Sequence, residues 1–257
     1  MHNNINYLNA SEHLFNLSFS ETLMLRNYSK TNNFKFCSMI GGSESIRDIQ
    51  EAKNLQCDAL EFNMVESIFS ISKICDAIEK VFKDQLQIIS KLKFFINIST
   101  PDSLNTIYEL DKLNLPKNIQ RKNLIFNFDR RSIAKIFLNI ENDNFNYSEC
   151  DSEINPIITK KILFLKDYDF STSLSGGIDK KGLNNIALSN CYPEYIKTGL
   201  FSIKITDLNF DYLFKDVFYL QQLESKLLKL MSDSIYSRFS YINKRNFHLE
   251  NYLKNNS

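Results

Sequence analysis

The chain has 257 residues, 43% of them hydrophobic and 24% charged, and its 31 basic and 30 acidic residues leave a formal net charge of +1. That is globular composition with length for one large core or two small ones, and the balanced charge offers no phosphate-neutralising field for nucleic acid. Apolar runs stay far below the ~18 residues of a membrane span, and the first six residues lack the basic-then-apolar pattern of a secretory signal, so a cytoplasmic protein with no membrane or nucleic-acid partner is expected.

A first strand is predicted over residues 5–10 and a helix over 20–31. Strand-type apolar runs follow at 34–40, 58–62, 93–98, 123–128, 170–174 and 194–198, with segments of helical period between them. Residues 43–56 open on Ser43, a good N-cap, and align Ile46, Ile49 and Ala52. Residues 66–82 align Ile68, Ile71, Ile74, Cys75, Ile78 and Phe82. Pro101 begins another helix, where its missing N–H costs nothing. Residues 131–140, 153–166 and 181–188 also read as helices.

Strands alternating with helices imply βαβ units and a parallel sheet. Seven or eight units in residues 1–207 predict an α/β fold, a closed (β/α)₈ TIM barrel with an irregular first or last unit. The competing layout is an open doubly wound sheet, but no GxGxxG follows the first strand. Residues 208–257 read as a helical extension. Within it, 212–239 carry a stripe of Leu213, Val217, Leu220, Leu223, Leu227 and Leu230. A helix that long leaves apolar surface beyond what one barrel layer covers, so a homo-oligomer is expected.

Cys37, Cys57, Cys75, Cys150 and Cys191 lie far apart with no CxxC pair, so they read as reduced cysteines, the first three as small core residues. His2, His13 and His248 share no helical or strand spacing, which leaves little material for a histidine metal site or a histidine-based hydrolase. Glycine is scarce, yet four of the six form the pairs Gly41-Gly42 and Gly176-Gly177, each after an apolar run. Such pairs serve either a tight strand-to-helix turn or a close approach to a ligand.

The stretch Met39-Ile40-Gly41-Gly42-Ser43-Glu44-Ser45-Ile46-Arg47-Asp48, with Glu51-Ala52-Lys53, resembles the HpcH/HpaI aldolase/citrate lyase family. Further matches are Asn63-Met64-Val65-Glu66-Ser67, Asn97-Ile98-Ser99-Thr100, Asn127-Phe128-Asp129-Arg130, Ser175-Gly176-Gly177-Ile178 and Ile196-Lys197-Thr198-Gly199. The resemblance spans residues ~5–205 in order and rough spacing. It implies a barrel that binds pyruvate, phosphoenolpyruvate or a similar 2-oxo acid, and a setting in surface-polysaccharide sugar metabolism. It also implies a divalent metal, Mg or Mn, held by one Glu and one Asp, which would stabilise an enolate during carbon–carbon bond cleavage or formation.

Two residues of that pattern differ here. The metal-binding Glu falls on Ser99, while the Asp is kept as Asp129. Either Glu66 or Glu61 substitutes, or the metal is lost. The strand-end arginine that grips a 2-oxo acid is replaced in this reading by Arg130, with Arg131 beside it, after Asp129; Arg47 lies inside a helix. Gly41, Gly42, Ser99, Gly176 and Gly177 are the candidate substrate-binding positions.

Lys197 ends a strand, and a lysine in a buried strand can form a Schiff base with a carbonyl substrate. Its stretch faintly resembles the lysine strand of deoxyribose-phosphate aldolases. The plain alternative is a strand-end lysine that reaches solvent or pairs with Glu194. The sequence therefore carries an aldolase-like lyase using Asp129, Arg130 and Lys197, a Schiff-base aldolase using Lys197, and a barrel that kept the fold without the chemistry.

Overall fold

The computed structural model describes residues 6–10, 19–40, 46–63, 65–138, 151–176, 178, 182–185, 191–205 and 210–230. Eight strands close into one barrel in sequence order. The chain runs β1 (Asn6–Ala10), α1 (Phe19–Thr31), β2 (Lys35–Ile40), α2 (Ile46–Asn54), β3 (Ala59–Phe62), α3 (Ile68–Val81) and the short α4 (Leu86–Ile89). It continues through β4 (Lys93–Ile98), α5 (Pro101–Thr106), β5 (Leu124–Asp129), α6 (Arg130–Leu138), α7 (Asp151–Asp167), β6 (Ser171–Ser175), β7 (Tyr195–Thr198), β8 (Phe201–Lys204) and α8 (Phe210–Leu230).

The irregular unit is the last one. Strands β1 to β7 pair in parallel, whereas β8 is antiparallel to both β7 and β1. Only Gly199 and Leu200 separate β7 from β8, too few residues for a parallel crossover. Gly199 takes φ +57, the left-handed backbone that a two-residue hairpin needs at its first position. The Leu200 carbonyl then accepts from the Asn9 N–H at 2.6 Å and ties the hairpin to β1. Closure excludes the open doubly wound sheet.

Inside and outside of the barrel are chemically distinct. The outer faces of the strands and the inner faces of the helices share one large apolar core, with Phe36, Leu60, Phe94, Phe126 and Phe201 fully buried in it. Tyr7, Cys37, Ala59, Phe95, Ile125 and Tyr195 form a separate cluster within the barrel. Tyr7, Phe95 and Tyr195 meet edge to face there, with centroids 5.6, 6.2 and 5.7 Å apart. Burial raises the hydroxyls of Tyr7 and Tyr195, the latter to about 12, so both rings stay neutral.

Several helix ends are capped as their residues require. Ser67 accepts from the Ser70 N–H and starts α3, so the helix expected at 66–82 opens two residues later. Thr100 and Ser103 form a capping box, with Pro101 at the first helical position. Ser43 lies outside the described residues, as do Gly41, Gly42, Met64, Gly177 and Cys150.

Helix α8 packs against β7 and β8. Leu213, Val217, Leu220 and Leu227 are buried by this single chain and Leu223 is half-buried. Gln221 Nε2 donates to Thr198 Oγ1 at 3.0 Å. Four of the six stripe positions are thus buried within the single chain, on the side of α8 that packs against β7 and β8. The residues expected to continue this helix beyond 230 lie outside the described residues.

Candidate functional site

Two residues beyond five of the six members of the interior apolar cluster, the strands present a second, polar layer nearer their C-terminal ends; beyond the sixth, Cys37, stands Met39. Tyr7 is followed by Asn9, Ala59 by Glu61, Phe95 by Asn97, Ile125 by Asn127 and Tyr195 by Lys197. Strand side chains alternate faces, so a step of two keeps the same inward direction and advances ~6.6 Å along the strand. The aromatic layer thus floors a polar layer at the end of the barrel where sites of this architecture form.

Lys197 and Glu61 are the charged pair of that layer. Lys197 Nζ donates to Glu61 Oε1 across the interior, with Glu61 only 1% exposed and Lys197 8%. The expectation that Lys197 reaches solvent or pairs with Glu194 is overturned: Lys197 shares the inward face of Tyr195 two residues before it, and Glu194 instead accepts from Ser171 Oγ at 3.1 Å. Asn97 Nδ2 donates to the same Glu61 oxygen at 2.7 Å and also to Asn63 Oδ1. Asn127 Nδ2 donates to Asn97 Oδ1 at 2.7 Å and to Ser175 Oγ at 3.0 Å. On the far side, Asn9 Nδ2 donates to Ser202 Oγ at 3.1 Å. Burial, then the Glu61 carboxylate, pushes the Cys37 thiol well above its usual range, so it stays protonated beneath the pair.

Asp129, Arg130 and Gly176 gather at the rim. Asp129 ends β5 and caps α6: its Oδ1 accepts from the Arg131 N–H at 3.1 Å, its Oδ2 from Ser132 Oγ at 2.9 Å. Gly176 has φ +82, and a Cβ there would stand 2.4 Å from Asp129 Oδ1 and 2.9 Å from the Arg131 nitrogen. This glycine is required by close packing on a capped helix start. Arg130 is buried and Arg131 exposed. Ser99, half-buried, follows β4, and its N–H donates to Ser103 Oγ at 3.2 Å.

The metal site implied by the sequence resemblance does not fit these residues. Ser99 is neutral, both Asp129 oxygens cap α6, and Glu66 is exposed in the loop before α3, where its carbonyl accepts from Thr106 Oγ1 at 3.1 Å. Among the described residues no three His, Cys, Asp or Glu side chains gather closely enough to hold an ion. A hard divalent cation prefers several charged oxygens.

Lys197 is legible in the sequence as a strand lysine and Glu61 as a substitute metal ligand, but nothing local joins them, and Asn97 and Asn127 stand in the family-like stretches without a site role of their own. The available signal was a polar residue in each of the apolar runs 59–62, 93–98 and 124–129, in phase with inward neighbours.

No family model matches this sequence, and the search of curated proteins found no match. Solved structures do. An HpcH/HpaI aldolase/citrate lyase family protein from Burkholderia cenocepacia J2315 aligns with a TM-score of 0.57 over 88% of this chain and 86% of that one, at 8% identity. The citrate synthase SbnG aligns with a TM-score of 0.55 over 86% and 83%, at 6% identity. A Haloferax volcanii malate synthase aligns with a TM-score of 0.48 over 65% and 51%, at 6% identity. The chain therefore has the barrel fold of an aldolase/citrate lyase family protein, in agreement with the sequence resemblance.

Proposed function

We propose that this barrel is an aldolase-type carbon–carbon lyase for a small 2-oxo acid, and that Lys197 is the group that engages the substrate carbonyl. The observation that carries the reading is the Lys197–Glu61 pair, set inside the barrel on the polar layer above an aromatic floor. A buried amine next to a carboxylate has both a nucleophile and a place to put its proton.

The steps balance through these two side chains. Glu61 takes a proton from Lys197, and the free amine adds to C2 of the 2-oxo acid while the C=O π electrons move to oxygen. Glu61 returns the proton to that oxygen, then takes a second proton from the nitrogen and passes it to the new hydroxyl, which leaves as water as the freed nitrogen lone pair forms the C=N bond. The resulting iminium accepts the electron pair of the C3–C4 bond as it breaks, while the hydroxyl on C4 gives its proton to Glu61 and becomes the carbonyl of the released fragment. Protonation of the enamine and hydrolysis by water restore the lysine. Arg130, at the same rim as Asp129 and Gly176, is the cation assigned to the substrate carboxylate.

The test is reduction with borohydride in the presence of pyruvate, followed by peptide mass spectrometry. A stable secondary amine on Lys197, absent in Lys197→Met, is expected. Saturable binding of pyruvate without any trapped adduct would replace the covalent step by simple charge stabilisation from the ammonium.

A second reading, a barrel that binds without catalysing, is favoured by the contact between Lys197 and Glu61, which a purely structural ion pair would also make. It predicts no cleavage of any 2-oxo acid. The wider proposal is a cytoplasmic enzyme of surface-polysaccharide sugar metabolism that forms a homo-oligomer. Sedimentation at roughly tens of micromolar, where a standard interface holds, tests the last part.

A further inference from the structure

Beneath the aromatic floor, at the N-terminal mouth of the barrel, the strands bring lysines together. Lys35 is the first residue of β2 and stands in register with Tyr7; Lys93 is the first of β4 and stands in register with Ala59. Residues paired across strands share a face of the sheet, so both side chains start towards the interior. Lys35 Nζ lies over the Tyr7 ring, 5.7 Å from its centre. Lys204 is the last residue of β8 and stands opposite Tyr195. In a barrel of eight parallel strands a final strand residue would sit at the other mouth; the antiparallel hairpin brings this one here. Lys122, just before β5, adds a fourth ammonium.

These charges are poorly balanced. Lys93 Nζ donates to the Lys122 carbonyl at 2.8 Å, which leaves protons to spare, and among the described residues none of the four lysines forms an ion pair. Glu194 is the carboxylate that acts on Lys93, against the ammoniums of Lys122, Lys204 and Lys35. It already accepts from Ser171 Oγ, and the Asp58 carboxylate before β3 accepts from the Phe36 N–H at 2.9 Å. Burial lowers the Lys93 ammonium below its ordinary range; Glu194 opposes the shift and the three lysines add to it. Like charges gathered at one mouth repel, and a bound anion relieves that repulsion. Lys35, Lys93 and Lys204 are half-buried and Lys122 is exposed, so an anion has access from solvent. A lysine meets its partner as a point charge with rotatable donors, which suits a tetrahedral oxyanion. We propose that this mouth binds an oxyanion of the phosphate class, carrying two or more negative charges, held by Lys35, Lys93 and Lys204. The site stands at the opposite end of the barrel from Lys197 and Glu61 and does not depend on the lyase reading.

The test titrates the intact protein with pyrophosphate by calorimetry, with ionic strength held constant by sodium chloride. Saturable binding is expected, together with a rise in the thermal transition that chloride at the same ionic strength does not give. Lys204→Gln and Lys35→Gln should each weaken pyrophosphate about tenfold, the loss of one charge-assisted contact. Lys204→Gln should also melt no lower than the wild type in the absence of the anion, because it removes a repelling charge; a lysine kept for structure alone would show the opposite. Absence of saturable binding to the wild type would overturn the proposal. So would unchanged affinity in the double variant Lys35→Gln/Lys204→Gln, which would put the anion elsewhere on the molecule. The wild-type titration decides the matter even if the double variant does not fold. Neither result bears on trapping of pyruvate at Lys197, which tests the lyase reading separately.

Discussion

The ammonium of Lys197 on β7 donates to the carboxylate of Glu61 on β3 through the middle of the barrel, joining strands that are not neighbours in the sheet. Removing one partner leaves an uncompensated buried charge. Glu61→Leu is expected to destabilise the fold by about 3–5 kcal/mol. The double variant Glu61→Leu/Lys197→Met should recover much of that loss, because no lone charge remains. Urea denaturation of the two variants checks this; equal losses in both would mean that the pair contributes by shape and not by charge.

Gly176→Ala should be destabilising whatever its effect on activity. The residue sits at φ +82, and the new methyl would collide with the Asp129 carboxylate and with the backbone nitrogen of Arg131. Strain of this kind costs on the order of 1–3 kcal/mol. The α6 cap should loosen with it, visible as faster amide exchange at Arg131.

Asp129→Ala removes that cap directly, and a loss of about 0.5–2 kcal/mol is expected. Asp129→Asn retains an acceptor and should lose less. A thermal melt of both variants separates the capping role from any role in binding, which would show instead in the pyruvate titration.

Alkaline pH should weaken the fold. Burial raises Tyr195 to about 12 from an ordinary value of 10, and Cys75 to about 12 from 9. A raised folded-state value means that the folded chain holds its proton more tightly than the unfolded one. The contribution of Cys75 is therefore complete below about pH 9 and is lost as pH rises towards 12; that of Tyr195 is lost between about 10 and 12. Urea midpoints measured from about pH 8 to about pH 11 should fall, and Tyr195→Phe should fall less above about pH 10.

Leu227 is 3% exposed on the buried face of α8. Leu227→Ala is expected to cost about 2–5 kcal/mol as a core truncation. The loss should not depend on protein concentration, as it would if the side chain lay in an interface between copies. Tyr219, 61% exposed on the same helix, is the better position to test for self-association, and Tyr219→Glu should leave the melt of the isolated chain nearly unchanged.

Much of the barrel is written locally. Residues 35–40 and 93–98 are read as strands because their apolar and β-branched side chains form short runs bounded by turn residues, and α3 is read from Ile71, Ile74, Cys75 and Ile78 recurring at helical spacing. Pro101 and Gly176 mark a helix start and a close approach without any knowledge of the partners. The last strand escaped, because residues 201–204 follow β7 after two residues and are too short to show a period. The inward set also escaped in part. Glu61, Asn97, Asn127 and Lys197 each sit alone in a different segment, and only the closure and stagger of the sheet bring them to one level. Local sequence fixes which face of a strand a side chain shares with its neighbours two residues away. Which strands stand opposite each other, and therefore that Lys197 meets Glu61 rather than the nearby Glu194, is decided by the closed sheet, since only there do residues 136 positions apart come within hydrogen-bonding reach.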